Sequence, residues 1–375
     1  MGQLRCLICA CILLVPGYIN LCLGETTDST FYFYHGKTYG SESLFNPFTV
    51  IANGGFGILQ ISNRSNRVSD IDFKNGWKNV TYNLSHPFRT IDAFGWDKFW
   101  RQEVFPTSFK LKQAQYYPNY KNHLWGGGFT YRAFVEWYRF HGYQQPVLWA
   151  LSSLMAYHFL NEVVENNYHV GPNVDPISDM YIFNTAGVLL FSINRVARFF
   201  GNTLHMRDWS FMPGYDPWQN TIENIGQNFM IKLKLPFLKS WSYFNHWGVH
   251  GMFGLSHLSK DGTSISFAGG LVAKDLVQVN NDPNIRELTT TLVWTAGVFY
   301  DRENSLLASL ILSGTKGYKV RLNIYPGLVK YGRFSPGFFL NLRQDNQVVL
   351  GFHFYYLLPA IAGRIGKQNI DIKKE

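Results

Sequence analysis

Three ionisable residues, His158, Glu162 and Glu165, recur at spacings of four and three along an otherwise apolar stretch. In a helix those spacings place all three on one face, beside Leu154, Met155, Phe159, Val163 and Val164. An imidazole and two carboxylates against an apolar surface have the composition of a metal site or of a general acid–base group. The alternative is a solvated helix end whose carboxylates pair with Arg132 or Arg139. A second polar group follows in Asp175, Ser178, Asp179 and Asn184. Asp175 before Pro176 reads as a helix N-cap, and Ser178 and Asp179 suit the positive end of the helix dipole. Asp179 and Asn184 lead toward Gly187, where a missing side chain lets a neighbour come close. A buried Asp179 needs a partner, and His123, Arg132 and the Glu162 group are the candidates. The expected catalytic set is therefore His158, Glu162, Glu165 and Asp179, with His123, Arg132, Asp175, Ser178 and Asn184 in binding roles. No Ser/His/Asp spacing surrounds Ser152, Ser153 or Ser178, and no glycine-rich phosphate loop occurs. No cofactor is expected, and the residue types leave the identity of any metal open.

The elements that must position these residues are helices. Pro87 starts one that runs through Trp96 and Phe99 and stops at Pro106. After the run Gly126 to Gly128, Phe129 to Phe140 reads as a second, broken by Gly142. Pro146 starts a third, to about Asn166, and Asp175-Pro176 a fourth, through Phe191. Asn46 to Ile61 fits either a strand or a short helix. The first three helices are rich in Trp, Tyr and Phe, which suits a compact aromatic layer.

From Gln227 onward the apolar period changes to two and holds through eight segments separated by polar, Gly-containing reversals. In 318–325, Tyr318, Val320, Leu322 and Ile324 alternate with Lys319, Arg321, Asn323 and Tyr325. In 338–343, Phe338, Leu340 and Leu342 alternate with Phe339, Asn341 and Arg343. In 347–358, Val348, Leu350, Phe352, Phe354, Tyr356 and Leu358 oppose Gln347, Gly351, His353 and Tyr355. The segments 227–237, 242–258, 263–274, 288–300 and 306–312 follow the same scheme. Hairpins in direct succession imply an antiparallel, up-and-down sheet, and eight strands of ~9 to 11 residues make the smallest common membrane barrel. In such a barrel the Lys319, Arg321 and Arg343 side faces a narrow lumen while Leu322, Phe352 and Phe354 face lipid.

The bulk properties suit this division. The chain is 17% aromatic, only 16% charged and contains 34 Gly. Its mean hydropathy of −0.11 is far below that of a helical membrane protein. Arg5, the apolar run Cys6–Pro16 and the ending Leu21-Cys22-Leu23-Gly24 form a secretory signal pattern. All four cysteines lie within it, so the exported chain is expected to contain no thiol. The formal net charge of +9 suits anionic headgroups or lipopolysaccharide phosphates, and no Lys/Arg cluster is dense enough to argue for nucleic acid.

The run His123-Leu124-Trp125-Gly126-Gly127-Gly128, then Arg132, Asn161-Glu162-Val163-Val164-Glu165, Asp175-Pro176-Ile177-Ser178-Asp179, Asn184 and Gly187 resembles a domain family of unknown function in outer-membrane proteins of Bacteroidota and related bacteria. The resemblance covers roughly residues 80 to 200 and implies an envelope location with a barrel downstream. The acidic helix end followed by Asp179 and Asn184-x-x-Gly187 is also similar to VanZ-like membrane proteins, which are helical bundles. The expected chain is an α+β membrane protein. Residues 1–24 are a signal peptide, 25–225 a helix-rich aromatic section, 226–360 a transmembrane barrel of about eight strands, and 361–375 a polar tail. Its expected place is the bacterial outer membrane, with lipid, lipopolysaccharide or other outer-membrane proteins as partners. Its expected role is envelope organisation or service as an accessory subunit; the alternatives are a lipid- or lipopolysaccharide-modifying enzyme and a soluble barrel for apolar ligands.

Overall fold

The computed structural model of the chain describes residues 30–110, 113–278, 288–315, 317–332, 334–344, 346–353 and 359–365. The expected signal peptide, most of the expected polar tail and the alternation over 354–358 lie outside the described residues. Two compact units divide the chain, and they do not follow chain order. One falls within 1–36, 72–204 and 277–290, the other within 37–71, 205–276 and 291–375.

The first unit is helical. Helix α2 (Phe73–Ser85) starts at Asp72, whose carboxylate accepts the backbone N–H of Asn75 at 2.9 Å. Helix α3 (Pro87–Phe94) does not run on to Pro106 as expected. Gly95, with φ of 99°, takes up the left-handed region and ends it, and a new helical turn starts at Trp96. Helices α4 (Gly128–Phe140) and α5 (Pro146–Glu165) sit close to their expected bounds. Helix α6 (Thr185–Ser192) completes the fourth expected helix, which begins at Asp175. Wide π-helical turns, Asn119–Gly127 and Ser178–Asn184, lead into α4 and α6. The glycine run is thus helical rather than a break. Its function is contact: a Cβ on Gly128 would meet the Gly187 carbonyl at 2.8 Å, and one on Gly187 would meet the Leu124 carbonyl at 2.7 Å. Only glycine lets these two helical backbones touch.

Among the described residues one unbroken helix, α5, is long and apolar enough to cross a membrane, and half of its apolar stretch is buried inside the structure. Its buried face, with Val147, Ala150, Leu154, Val163 and Val164, makes it a core helix of this unit.

In the second unit, α1 (Pro47–Gly55) resolves the open reading of 46–61 as helix, capped by the Asn46 side chain accepting from Thr49 N at 3.0 Å. Among the described residues the rest is a mixed sheet of 13 strands, not a closed ring and not the eight strands expected. The strands are β1 (Arg207–Asp208), β2 (Gly214–Asp216), β3 (Thr221–Glu223), β4 (Phe229–Lys234), β5 (Trp241–Trp247), β6 (His250–Leu258), β7 (Thr263–Gln278), β8 (Leu288–Arg302), β9 (Ser305–Ser313), β10 (Val320–Ile324), β11 (Gly337–Leu342), β12 (Val348–His353) and β13 (Ala360–Ile365). The expected single segment 242–258 is a hairpin, β5 and β6, because Gly248 sits at a reversal bonded to His250 at 3.0 Å. The first residues of the expected tail form β13, which pairs antiparallel with β12 and parallel with β2. From β4 to β13 the strands follow in sequence order. The stretch Arg207 to Asp216 joins both extremes: its β1 end pairs with β4 and its β2 end with β13.

The exposed face of the sheet is apolar, unlike that of a water-soluble sheet. Leu310, Leu322, Leu340 and Leu350 form one row across β9 to β12 on the outer face, and Phe253, Phe267 and Phe352 on this face are 53%, 54% and 52% exposed. The opposite row carries Ser309, Asn323, Phe339 and Gly351, of which Ser309, Asn323 and Phe339 are fully buried. Arg321, Asn341 and His353 are also buried there. This inner face is mixed. Polar pairs such as Asn224 with Asn323 (2.7 Å) and Lys232 with Asp301 (2.5 Å) alternate with Trp209, Phe244, Phe299 and Phe339. Helix α1 covers part of it through Asn53, which donates to Phe211 O and accepts from Gly226 N at 2.8 and 3.0 Å. Lys319 departs from the expectation. It is exposed and Tyr318 is buried, because both precede the start of β10 and escape its alternation.

Candidate functional site

His123 lies on the π-helical turn before α4, Asp179 and Asn184 on the one before α6, and His158 and Glu162 on α5. The glycine contact between the turns brings the first two elements together. His123 Nε2 lies 3.0 Å from Asp179 Oδ2, and its Nδ1 lies 3.3 Å from Asn184 Oδ1. The widened turn allows residues five apart to grip one imidazole from the same side, and π-helical turns of this kind are frequent at functional sites. The His158 ring sits 4.8 Å from that of His123 and stacks on Tyr157.

The carboxylates extend this group. Glu162 hydrogen-bonds Asp179, and Asn166 Nδ2 donates to Glu162 Oε2 at 3.2 Å. Asn173 Nδ2 in turn donates to Asn166 Oδ1 at 2.7 Å. A hydrogen bond between two carboxyl groups requires that one of them carry a proton. Ser178 Oγ donates to Asp179 Oδ1 at 3.2 Å and approaches the Asn119 amide.

Burial sets the proton affinities. Asp179 is pushed well above the ordinary carboxylate range, first by desolvation and then by the charges of Asp175 and Glu165. Desolvation brings His123 down to about 4. His158 falls well below its ordinary value through desolvation and the nearby His123. If His123 Nδ1–H donates to Asn184, the short Nε2 contact needs a proton from the Asp179 side, and burial favours the neutral pair of imidazole and carboxylic acid. Such a pair faces a protonated carboxyl toward an unprotonated imidazole, the arrangement that general acid–base work uses. Both ring nitrogens of His158 and the Asn184 amide nitrogen are buried without a hydrogen-bond partner.

The structure thus brings together His123, His158, Glu162, Ser178, Asp179 and Asn184. It rejects the solvated-end alternative for Glu162, which is buried, whereas Glu165 is half-buried at the last turn of α5. Arg132 does not belong to the group. It pairs with Glu136 at 3.2 Å, one helical turn along α4, and lies 5.4 Å from the Tyr32 ring centre. Asp175 is the first helical residue and not the N-cap; the Asn173 side chain accepts its backbone N–H at 3.2 Å instead. Glu136, Asn166 and Asn173 were missed. The four-residue spacing of Arg132 and Glu136 was a visible signal for the first, while the asparagines become informative only once buried. Among the described residues no group of three or more His, Cys, Asp or Glu side chains is disposed to hold a metal ion.

No protein-family model, curated protein or solved structure matches the chain.

Proposed function

We propose that the chain is an integral protein of a bacterial outer membrane, with the strands of its second unit as the spanning segments, wrapped into a lipid-facing barrel. The observation that carries this reading is the apolar exposed face of the sheet: leucine and phenylalanine rows outside, with Arg321, Asn323, Asn341 and His353 inside among buried aromatic rings. A soluble barrel for apolar ligands would carry polar residues on that outer face, whereas lipid is a solvent that suits apolar rows. The seam made by Arg207 to Asp216, paired at one end to β4 and at the other to β13, supports closure. Membrane fractionation with a heat-modifiability gel tests the reading. Pelleting with outer membranes and migration that shifts on heating are expected, and a soluble, heat-insensitive protein overturns it.

Of the roles open to such a protein, the helical unit favours an acid–base enzyme acting on envelope lipid or lipopolysaccharide over a passive accessory subunit. The specific observation is the buried contact of His123 with Asp179, hydrogen-bonded onward to Glu162, with an unpartnered His158 alongside. Packing alone does not require two imidazoles and two carboxyls in one buried cluster, since each unsatisfied polar group costs stability. In this reading Asp179 and His123 move the proton and His158 and Asn184 orient the substrate. Lipid profiles of cells carrying Asp179→Asn test it: a changed lipid or lipopolysaccharide species with normal protein level is expected, and an unchanged profile returns the protein to the role of envelope organisation or accessory subunit.

A further inference from the structure

A second polar site lies in the sheet unit, separate from the histidine cluster. A cavity of about 410 Å³ opens between the loop after α1 and the inner face of β3, β10 and β11. Its lining includes Arg321, Arg343 and Arg64, with Asn224, Asn341 and a single carboxylate, Glu223, among the described residues. Glu223 is already shared: Arg364 Nη2 lies 2.8 Å and Arg343 Nη1 3.8 Å from its Oε1.

Arg321 is the unusual member. It is only 5% exposed, yet no carboxylate stands within ion-pair distance of it among the described residues. Its Nη1 donates to the Gln60 amide oxygen at 3.2 Å, its Nε has no partner, and its guanidinium is held between the Phe211 and Tyr318 rings at 4.3 and 3.9 Å. The two rings fix the plane of the fork, so its direction is set before any ligand arrives. An oriented, desolvated guanidinium without a counter-charge is costly to bury, and an oxyanion offsets that cost by charge-assisted bonds. The Asn341 carbonyl oxygen is likewise buried without a partner in the same cavity.

We propose that this cavity binds a phosphate group. Arg343 and Arg364 share the Glu223 carboxylate and Arg321 has no ion-pair partner among the described residues, so the charge in excess matches a phosphomonoester dianion better than a monoanionic carboxylate. Arg321 and Arg343 hold the phosphate oxygens, and the free side-chain oxygen of Asn341 accepts from a donor on the rest of the molecule. The cavity volume leaves room for a group larger than the phosphate itself. The chemistry is shared by free phosphomonoesters and by the headgroup of a phosphomonoester lipid, and the test separates the two sources.

The full chain, solubilised in detergent, is titrated calorimetrically with inorganic phosphate and, separately, with dihexanoyl phosphatidic acid. Binding of either probe tighter than about 1 mM is expected for the wild type, with at least a tenfold loss in both Arg321→Gln and Arg343→Gln. Comparable affinity for the two probes assigns the site to soluble phosphomonoesters, and a tenfold preference for the lipid assigns it to a headgroup. Arg343 is partly exposed and its variant keeps the buried core intact, so it decides the matter if Arg321→Gln fails to fold. Absence of binding by both probes overturns the proposal, as does lipid binding that is equal in wild type and in Arg343→Gln.

Discussion

His123 Nε2 and Asp179 Oδ2 lie 3.0 Å apart in a buried pocket that shifts their proton affinities in opposite directions, the imidazole down to about 4 and the carboxyl well above its ordinary value. The pair therefore makes opposing contributions to stability between pH 4 and 6.5. The lowered His123 costs stability as the pH falls through this window, because the unfolded chain takes up a proton that the folded one refuses. The raised Asp179 does the reverse: the folded chain holds its proton above the unfolded value, so its contribution is full at low pH and is lost as the pH rises. Asp179→Asn removes only the second contribution. Its melting temperature should fall further below that of the wild type as the pH is lowered from about 6.5 to about 4, and a pH-independent difference would exclude a raised Asp179.

Loss of proton transfer should separate from loss of binding. With the substrate found by lipid profiling, Asp179→Asn is expected to lower turnover by roughly 10²- to 10⁴-fold. Asn184→Ala, which removes the contact to His123 Nδ1 and the amide that orients the substrate, should cost less and be partly restored by Asn184→Gln. Steady-state kinetics of the purified variants measure both, and equal losses in Asp179→Asn and Asn184→Ala would contradict the roles given.

The outer face offers a test by substitution. Leu310 lies in the exposed leucine row, and Leu310→Arg should cost about 2–4 kcal/mol in a bilayer if it lies near the midplane. On a soluble surface the same change stays within about 0.5 kcal/mol. Unfolding by urea in lipid vesicles distinguishes them.

Glu136 anchors the start of the helical unit. One of its oxygens accepts the backbone N–H groups of Tyr32, Phe33 and Tyr34 at 3.1, 2.7 and 3.0 Å, and the other meets Arg132. Truncation in Glu136→Ala leaves three buried donors and a buried guanidinium unmatched, so a loss of roughly 3 kcal/mol or more is expected. Limited proteolysis should then cut near residues 30–36 in the variant and not in the wild type. Identical cleavage patterns would show that the segment is held by its aromatic contacts, such as Phe33 against Phe129.

The two parts of the chain differ in how far their sequence discloses them. Alternation in 338–343 and 347–353 states which residues face inward, because a strand has only two sides and the structure keeps that register. Strand number was less legible. Gly248 hides a hairpin inside an apolar run, and β1 to β3 are two or three residues long, too short for any period to register. In the helical unit, spacing placed His158 and Glu162 on one face and Asp179 near Asn184. It could not show that Arg132 would turn to Glu136, since several acids compete for one guanidinium and only packing chooses. The π-helical turns were invisible too, since they run straight into α4 and α6 with no break in the sequence to mark where the width changes.

The seam through Arg207 to Asp216 also constrains how the molecule is built. The strand made early, β2, finds its parallel neighbour only in β13, the final strand described. Until that neighbour arrives, one row of backbone donors and acceptors stands open, so assembly cannot be completed progressively from one end. The sheet must wait for β13, which makes loss of that strand a lesion to the whole sheet and leaves the waiting form open to pairing with other chains.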